Sequence, residues 1–286
     1  MIAPLIFTLA ASGPLDAGAF AYASAPLRAS VEKSSVAGGL RTSEVSFVSG
    51  SRTVWAEIVA PARAVHSAPG VLFVHWLGSN ATTNHREFEP DARALAERGA
   101  TCVLLDAMWS TVTTQGRDWF DDVRTTQTDY ANSIAQVVDL RRALDVLLAQ
   151  PGVDPKRVAY VAHDFGAMYG AVLAGVDPRP RFYVLMAGTT SFADWYLLGK
   201  KPADVDAYRA QMAPLDPLAY LARSRARGFM FQFAAHDEFV SAEHAAAFFG
   251  AAPLPRAMYL YDAHHDLKTP LALQDRLNWL EARLWV

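Results

Sequence analysis

The residues with the clearest chemical meaning lie in a five-residue turn, 162–166, between a short apolar strand and a helix of small residues. A tight strand-to-helix turn of the pattern G-x-S-x-G presents a nucleophilic serine at the end of a strand. Here Ala162 replaces the first glycine, Asp164 stands at the serine position, and Gly166 closes the turn. Because small residues flank the turn, its geometry remains sterically possible. The sequence therefore predicts a nucleophile elbow that carries a carboxylate.

A carboxylate nucleophile favours substitution at saturated carbon. An aspartate with a pKa near ~4 is ionised at neutral pH and needs no general base for its first attack. Attack on an epoxide or an alkyl halide gives a stable alkyl ester. Attack on an ordinary ester would expel an alkoxide and form a mixed anhydride, which is uphill. We therefore expect Asp164 to act on small electrophiles with an sp³ reactive carbon.

The elements that must position this turn alternate along the chain. Short apolar or alternating runs predict strands at 43–49, 53–60, 71–74, 102–105, 157–162, 182–186, 229–233 and 258–261. Helical periodicity predicts helices at 87–98, along a long segment ending near Gly152, at 167–174 and at 270–284. Such alternation is typical of an α/β protein with a mostly parallel central sheet and helices on both faces.

Four segments carry a family resemblance. They are residues 71–78 (VLFVHWLG), the elbow at Asp164, residues 231–240 (FQFAAHDEFV) and residues 261–267 (YDAHHDL). Each follows a predicted strand, and together they stand in family order. From about Phe20 to its end, the sequence resembles the α/β-hydrolase fold and, within it, the dienelactone-hydrolase-like group. The resemblance implies that fold, and the aspartate at the serine position is the departure that bears on the chemistry.

The resemblance also implies a catalytic triad in the chain order nucleophile, acid, histidine. Asp164, Asp237 and His265 stand in that order. Asp237 would hold the imidazole tautomer and stabilise its positive form, and His265 would activate water against an Asp164 ester. Glu238 and His264 are the adjacent competitors for the acid and histidine roles.

An oxyanion hole and a pocket follow from the same resemblance. The backbone N–H of Phe165 would be one oxyanion donor, and that of Trp76 or Leu77 the other. The side chains expected at the substrate pocket are His75, Trp109, Trp195 and Tyr196. For each of them, and for Tyr208 further along the chain, simple packing is the alternative. His75 has the further alternative of a structural histidine bonded to backbone.

Three functions remain open at this point. The first is a hydrolase with a covalent Asp164 intermediate on an epoxide or alkyl halide. The second is an esterase or lactonase relative, in which the aspartate is natural or replaces serine deliberately. The third is a ligand-binding protein without turnover, which would have no need for the acid–base pair Asp237 and His265.

Composition excludes several other classes. The 286 residues carry a net charge of −3, so nucleic acid is not an expected partner. The single cysteine, Cys102, excludes an internal disulfide and a cysteine-built zinc site. No H-E-x-x-H spacing and no G-x-G-x-x-G loop is present, so we expect neither a metal nor a cofactor. No apolar run reaches the ~18 residues of a membrane span.

The domain organisation expected is simple. Residues 1–18 form a loose N-terminal arm or a weak signal-like segment, and residues 19–286 form one hydrolase domain. Residues 189–225 exceed a simple crossover and are expected to form a small lid-like insertion. A small molecule is the expected partner, while a monomer and a homodimer both remain open. A cytoplasmic location is expected, with a secreted or periplasmic one as the alternative.

Overall fold

The apolar runs of the sequence form a nine-stranded sheet within residues 13–23, 27 and 29–285, which the computed structural model describes. In chain order, the strands are β1 (Ser30–Ala37), β2 (Leu40–Ser49), β3 (Arg52–Pro61), β4 (Ala68–Val74), β5 (Thr101–Asp106), β6 (Val153–His163), β7 (Phe182–Met186), β8 (Gly228–Ala234) and β9 (Arg256–Tyr261). Every predicted strand lies inside one of these.

The sheet order is β1-β2-β3-β5-β4-β6-β7-β8-β9. Strands β1, β2, β3 and β5 pair antiparallel, and the pairs from β5 through β4 to β9 are all parallel. The expected α/β class with a mostly parallel sheet is therefore confirmed. Because carboxyl ends of parallel strands meet at one edge, the segments that follow β4, β6, β8 and β9 lie close together there.

Eight α-helices connect or flank the strands in the described part of the chain. They are α1 (Glu89–Glu97), α2 (Asp129–Leu148), α3 (Phe165–Val176), α4 (Phe192–Tyr196), α5 (Val205–Met212), α6 (Pro217–Leu221), α7 (Ala242–Ala251) and α8 (Pro270–Leu284). One apolar core contains residues of α2 and α3, and a second contains residues of α1 and α8. Helices thus cover both faces of the sheet, as the sequence predicted.

The long connection between β7 and β8 contains the predicted insertion, 189–225. It folds into the short helices α4, α5 and α6, with Trp195 and Tyr208 buried. Of the predicted arm 1–18, residues 1–12 lie outside the described residues. The adjoining segment packs onto α6, where the ring of Phe20 meets that of Tyr220 edge to face. Within the described residues, no helix is long and apolar enough to cross a membrane.

Candidate active site

The elbow forms between the last residue of β6 and the first of α3. Asp164 has φ 55° and ψ −119°, a positive-φ conformation that non-glycine residues seldom adopt. Gly166 makes the close approach possible, since a Cβ there would stand 2.5 Å from the carbonyl oxygen of Val74. Strand β4 and helix α3 therefore hold the strained turn from both sides and present the Asp164 side chain beyond the strand end.

The two oxygens of Asp164 meet different surroundings. Oδ2 accepts a hydrogen bond of 2.9 Å from the backbone N–H of Leu77. Oδ1 is buried and accepts no hydrogen bond from the described residues. It lies 3.9 Å from Nε2 of His265. One oxygen is thus fixed by backbone, and the other is unpaired and faces an imidazole.

The structure brings Asp237 and His265 together as a hydrogen-bonded pair. Nδ1 of His265 lies 3.0 Å and 2.9 Å from the two carboxylate oxygens of Asp237. The backbone N–H groups of Phe239 and Val240 donate to Asp237 Oδ1 at 2.9 and 2.8 Å. Nδ1 therefore carries the proton, and in neutral His265 the lone pair of Nε2 points toward Asp164.

The pKa directions of the pair favour an ionised Asp237 and a protonated His265 ring. Burial acts to raise the pKa of Asp237, but the hydrogen bond and charge of His265 lower it below its ordinary value. Burial acts to lower the pKa of His265, but the hydrogen bond to Asp237 and the charge of Asp164 raise it above its ordinary value. The adjacent pair Glu238 and His264 is exposed and hydrogen-bonded to itself, away from Asp164.

Burial raises the pKa of Asp164 to about 6. The charge of His265 and the N–H of Leu77 oppose the shift, as do the charge of His163 and the N–H of Phe165. At neutral pH the carboxylate form still dominates, and a higher pKa makes a carboxylate a stronger nucleophile. The site therefore holds a poorly solvated, largely ionised carboxylate.

In the loop after β4, the backbone N–H groups of Trp76 and Leu77, the two alternative oxyanion donors, have different hydrogen-bond partners. The N–H of Trp76 donates to Glu87 Oε2 at 2.6 Å and is not free for a substrate or intermediate. The N–H of Leu77 reaches the Asp164 carboxylate instead. The arrangement thus differs from the sequence expectation at Trp76, because the sequence did not reveal Glu87 as its partner.

A second histidine–carboxylate pair stands on the other side of the elbow. His163 Nδ1 lies 2.6 Å from Glu87 Oε1, and its Nε2 lies 2.9 Å from the backbone carbonyl oxygen of His265. The Trp76 ring stacks on that of His163, with centroids 5.2 Å apart and planes 5° apart. The loops of Trp76 and His265 are therefore tied to the elbow through one buried imidazole. Sequence reasoning missed Glu87, which no local motif marks.

A cavity of about 440 Å³ opens beside His265. It is lined by Trp76, Leu77, Gly78, Asp118, Phe120, Asp121, Trp195, Leu198, Gly199, Phe239 and His265. Trp195 is the one predicted pocket side chain that contributes to this wall. The predicted pocket residues His75, Trp109 and Tyr196 do not line it.

Hydrogen bonds account for the absence of His75 and Trp109 from the cavity wall. The N–H of Ala107 donates to His75 Nε2 at 3.1 Å, and His75 Nδ1 donates to the carbonyl of Trp76 at 2.7 Å. Burial lowers the pKa of His75, so the neutral ring suits this role. The indole N–H of Trp109 donates to the same carbonyl at 3.0 Å. His75 is thus a structural histidine bonded to backbone.

The tyrosines of the insertion are likewise committed to the core. The hydroxyl of Tyr196 lies 3.1 Å from that of Ser133 and 2.7 Å from that of Tyr169. Tyr208 donates to Asp129 at 2.7 Å. Trp195 differs, because it lines the cavity and its ring stands 5.7 Å from that of His265. Among the described residues, no tyrosine lines this cavity.

Comparison with known proteins defines the class to which this fold belongs. No protein-family model matches the sequence, and no curated protein sequence matches it. Solved structures do match. An acetyl xylan esterase from Paenibacillus sp. R4 superposes with a TM-score of 0.74 at 17% identity, over 91% of this chain and 90% of that one. Acetyl xylan esterase 1 from Thermoanaerobacterium sp. JW/SL YS485 gives 0.72 at 15% identity, over 95% of each chain.

A protein named as a dienelactone hydrolase, from Klebsiella pneumoniae subsp. pneumoniae MGH 78578, gives a TM-score of 0.63. Its identity is 16%, over 86% of this chain and 98% of that one. The chain therefore has the α/β-hydrolase fold. At these identities the likeness defines the fold, and the chemistry has to be argued from the site itself.

Proposed function

We propose that this protein is a hydrolase in which Asp164 forms a covalent ester with a small sp³ electrophile, and His265 then activates water to release the product. The observation that carries the proposal is the unequal environment of the two Asp164 oxygens. Oδ2 is held by the N–H of Leu77, whereas Oδ1 is buried, unpaired and 3.9 Å from His265 Nε2. That division assigns one oxygen to bond formation and the other to charge stabilisation.

In the first step, Oδ1 of Asp164 attacks the saturated carbon. A carbon–oxygen bond forms, and the leaving group departs with the electron pair of the bond that breaks. Oδ2 becomes the carbonyl oxygen of the resulting ester while it keeps the hydrogen bond from Leu77. No proton needs to move, which suits a carboxylate that is already ionised.

In the second step, a water molecule attacks Cγ of the Asp164 ester. His265 Nε2 takes a proton from that water, and the Asp237 carboxylate stabilises the imidazolium that forms. The negative charge on Oδ2 is held by the N–H groups of Leu77 and Phe165. Collapse of the tetrahedral intermediate releases the alcohol, which carries away the original Oδ1 and takes the proton from His265. Asp164 is left as a carboxylic acid, and loss of its proton to solvent restores the carboxylate.

The cavity favours a leaving group that departs as a stable anion. Among the described residues, no tyrosine lines the cavity, and the hydroxyls of Tyr196 and Tyr208 are engaged elsewhere. A halide ion needs only a hydrogen bond, whereas an epoxide oxygen is released as an alkoxide and gains from a proton donor. Of the two substrate types, the alkyl halide therefore suits these side chains better.

Intact mass spectrometry of the His265→Gln variant tests the covalent step. The variant is incubated with a panel of haloalkanes, epoxides and activated esters and then digested to locate any adduct. An alkyl group should accumulate on the peptide that carries Asp164, since the water-activating base is gone. The matched control is His264→Gln, which removes the adjacent exposed histidine and should turn over without accumulating an adduct.

A single turnover in water labelled with heavy oxygen separates the proposal from its alternatives. With wild-type enzyme in excess, the label should enter the Asp164 carboxylate and be absent from the first product. Label found directly in the product would contradict a covalent aspartate. Ester turnover by the wild type, with no adduct from any panel member and higher activity in Asp164→Ser, would indicate an esterase or lactonase.

A further inference from the structure

A second group of reactive side chains converges away from the cavity. Glu57 on β3, His85 on the 3₁₀ turn His85–Phe88 and Glu89 at the start of α1 each offer one ligand atom. These atoms all lie within 4.8 Å of one another. The three residues come from separate elements, so the fold and not a local sequence motif brings them together.

Hydrogen bonds to Asp106 orient the imidazole of His85. His85 Nδ1 donates to Asp106 Oδ2 at 2.9 Å, and the backbone N–H of His85 donates to Asp106 Oδ1 at 3.0 Å. The hydroxyl of Ser110 donates to the same Oδ1 at 2.8 Å. A carboxylate that binds one ring nitrogen fixes the tautomer and leaves Nε2 with its lone pair, as in metal-ligating histidines.

Lysine and arginine side chains do not neutralise the two carboxylates within the described residues. Glu57 stands directly opposite Glu44 in the β2–β3 register, and Glu44 is the one that pairs with Lys33, at 3.6 Å. In the described part of the chain, neither Glu57 nor Glu89 forms an ion pair with a lysine or arginine. The carboxylate oxygens of Glu57 and Glu89 lie within 4.8 Å of each other, so a cation between them would be attracted to both.

We propose that Glu57, His85 and Glu89 form a binding site for a divalent first-row transition metal ion, with Asp106 as the residue that orients the histidine ligand. One imidazole and two carboxylates suit Zn²⁺, Co²⁺ or Mn²⁺, whereas Mg²⁺ and Ca²⁺ prefer all-oxygen sites. Three protein ligands leave room for water to complete the coordination shell. This disagrees with the sequence expectation of no metal, which rested on contiguous motifs.

A metal ion at this site would connect the sheet to the segment that contains Glu87, which contacts the elbow. His85 and Glu89 flank Glu87, which binds the N–H of Trp76 and the imidazole of His163. A metal ion bridging to Glu57 would therefore tie β3 to the segment between β4 and α1. The role is structural, because none of its ligands touches Asp164 or lines the cavity.

Titration of the metal-free, untagged protein with Co²⁺ tests the proposal without any enzymatic assay. We expect d–d absorption bands that saturate at one Co²⁺ per chain, displacement by Zn²⁺, and a melting temperature that rises with Co²⁺ concentration. Glu57→Gln and Glu89→Gln should each weaken binding at least about 10-fold. Asp106→Asn should weaken it about 10- to 100-fold, as loss of an outer-shell partner does.

Glu44→Gln is the matched control, because it removes the opposing carboxylate without removing a ligand and should retain the Co²⁺ bands. The glutamine variants of Glu57 and Glu89 relieve repulsion in the metal-free protein, so they should fold. Absence of Co²⁺ and Zn²⁺ binding up to millimolar concentration would overturn the site. The proposal would also be overturned if both glutamine variants bound Co²⁺ as tightly as the wild type does.

Discussion

Two histidine–carboxylate pairs flank Asp164, and they differ in what the second ring nitrogen meets. In Asp237–His265, Nδ1 is bound to the carboxylate and Nε2 faces Asp164. In Glu87–His163, Nδ1 is again bound to a carboxylate, but Nε2 donates to the carbonyl of His265. Both rings lie near Trp76, and both are buried.

The comparison shows that a carboxylate partner does not by itself make a histidine reactive. A neutral imidazole can act as a base only through a nitrogen whose lone pair is free to meet a proton. His265 has such a nitrogen, while His163 uses both of its nitrogens to hold neighbouring loops. We therefore propose His163 and Glu87 as positioning residues and His265 as the base.

The largest expected contrast comes from changing the two carboxylates. Asp237→Asn should reduce kcat about 10⁴-fold, because the amide favours the wrong imidazole tautomer and does not stabilise the imidazolium. Glu87→Gln should reduce kcat less than about 10²-fold and should instead lower the unfolding free energy by about 1–3 kcal/mol through a weakened buried hydrogen bond. Steady-state kinetics and chemical denaturation measure both. Equal losses of kcat would remove the distinction between the pairs.

A smaller difference is expected between two variants of His163, each of which keeps one of its two hydrogen bonds. A glutamine amide reaches the position of Nε2 and keeps the bond to the carbonyl of His265, whereas an asparagine amide stands near Nδ1 and keeps the bond to Glu87. We expect His163→Asn to slow hydrolysis of the intermediate by up to about 10²-fold, because His265 is less well placed. Alkylation of Asp164 should change much less.

Rapid-quench measurements of adduct formation and decay report these two steps separately. His163→Gln should preserve the decay rate better than His163→Asn does. If both variants slow both steps to the same degree, His163 supports the fold without positioning the base.

A further effect, on stability alone, concerns the carboxylate that lies between the two pairs. Asp164 has a folded pKa of about 6 against 3.8 for the free side chain, so the folded state binds its proton more tightly. The free-energy cost of burying this carboxylate is absent below about pH 4, grows as the pH rises toward 6, and reaches about 2–3 kcal/mol above that. The wild type should therefore lose this stability relative to Asp164→Asn as the pH rises.

Denaturant unfolding of both proteins at pH values of about 4, 5, 6 and 7 measures the difference in their unfolding free energies. Any effect of the amide that does not vary with pH cancels. Asparagine is the suitable replacement because it tolerates the positive φ of the elbow. A stability difference that does not vary with pH would show that Asp164 is not destabilised by its burial.

Much of the fold could be predicted because its strands carry a strong local signal. The central strands β4 to β8 are apolar on both faces and bounded by turns, so composition alone locates them. Strand β1 was missed, since all of Ser30–Ala37 is exposed and its residues carry no buried stripe. Its pairing with β2 at the sheet edge depends on backbone hydrogen bonds that the side chains do not reveal.

The candidate site was predictable to the extent that its residues follow strands. Asp164, Asp237 and His265 each come after a recognisable strand, and the structure brings all three together. Glu87 was not predictable, because it lies 76 residues from His163 in the chain and its partner is fixed by packing. The same holds for Tyr196, whose hydroxyl partners lie on the distant helices α2 and α3.

The backbone of the elbow also bears on how such a protein could change its chemistry by mutation. Aspartate and serine codons are two nucleotide changes apart, and the shortest routes pass through asparagine, glycine, alanine or tyrosine. Two of these intermediates, asparagine and glycine, matter for the backbone of the turn. Both residues accept a positive φ, so the turn at Asp164 survives either intermediate. Along these two routes, exchange of the residue at position 164 is therefore limited by loss of activity and not by loss of structure.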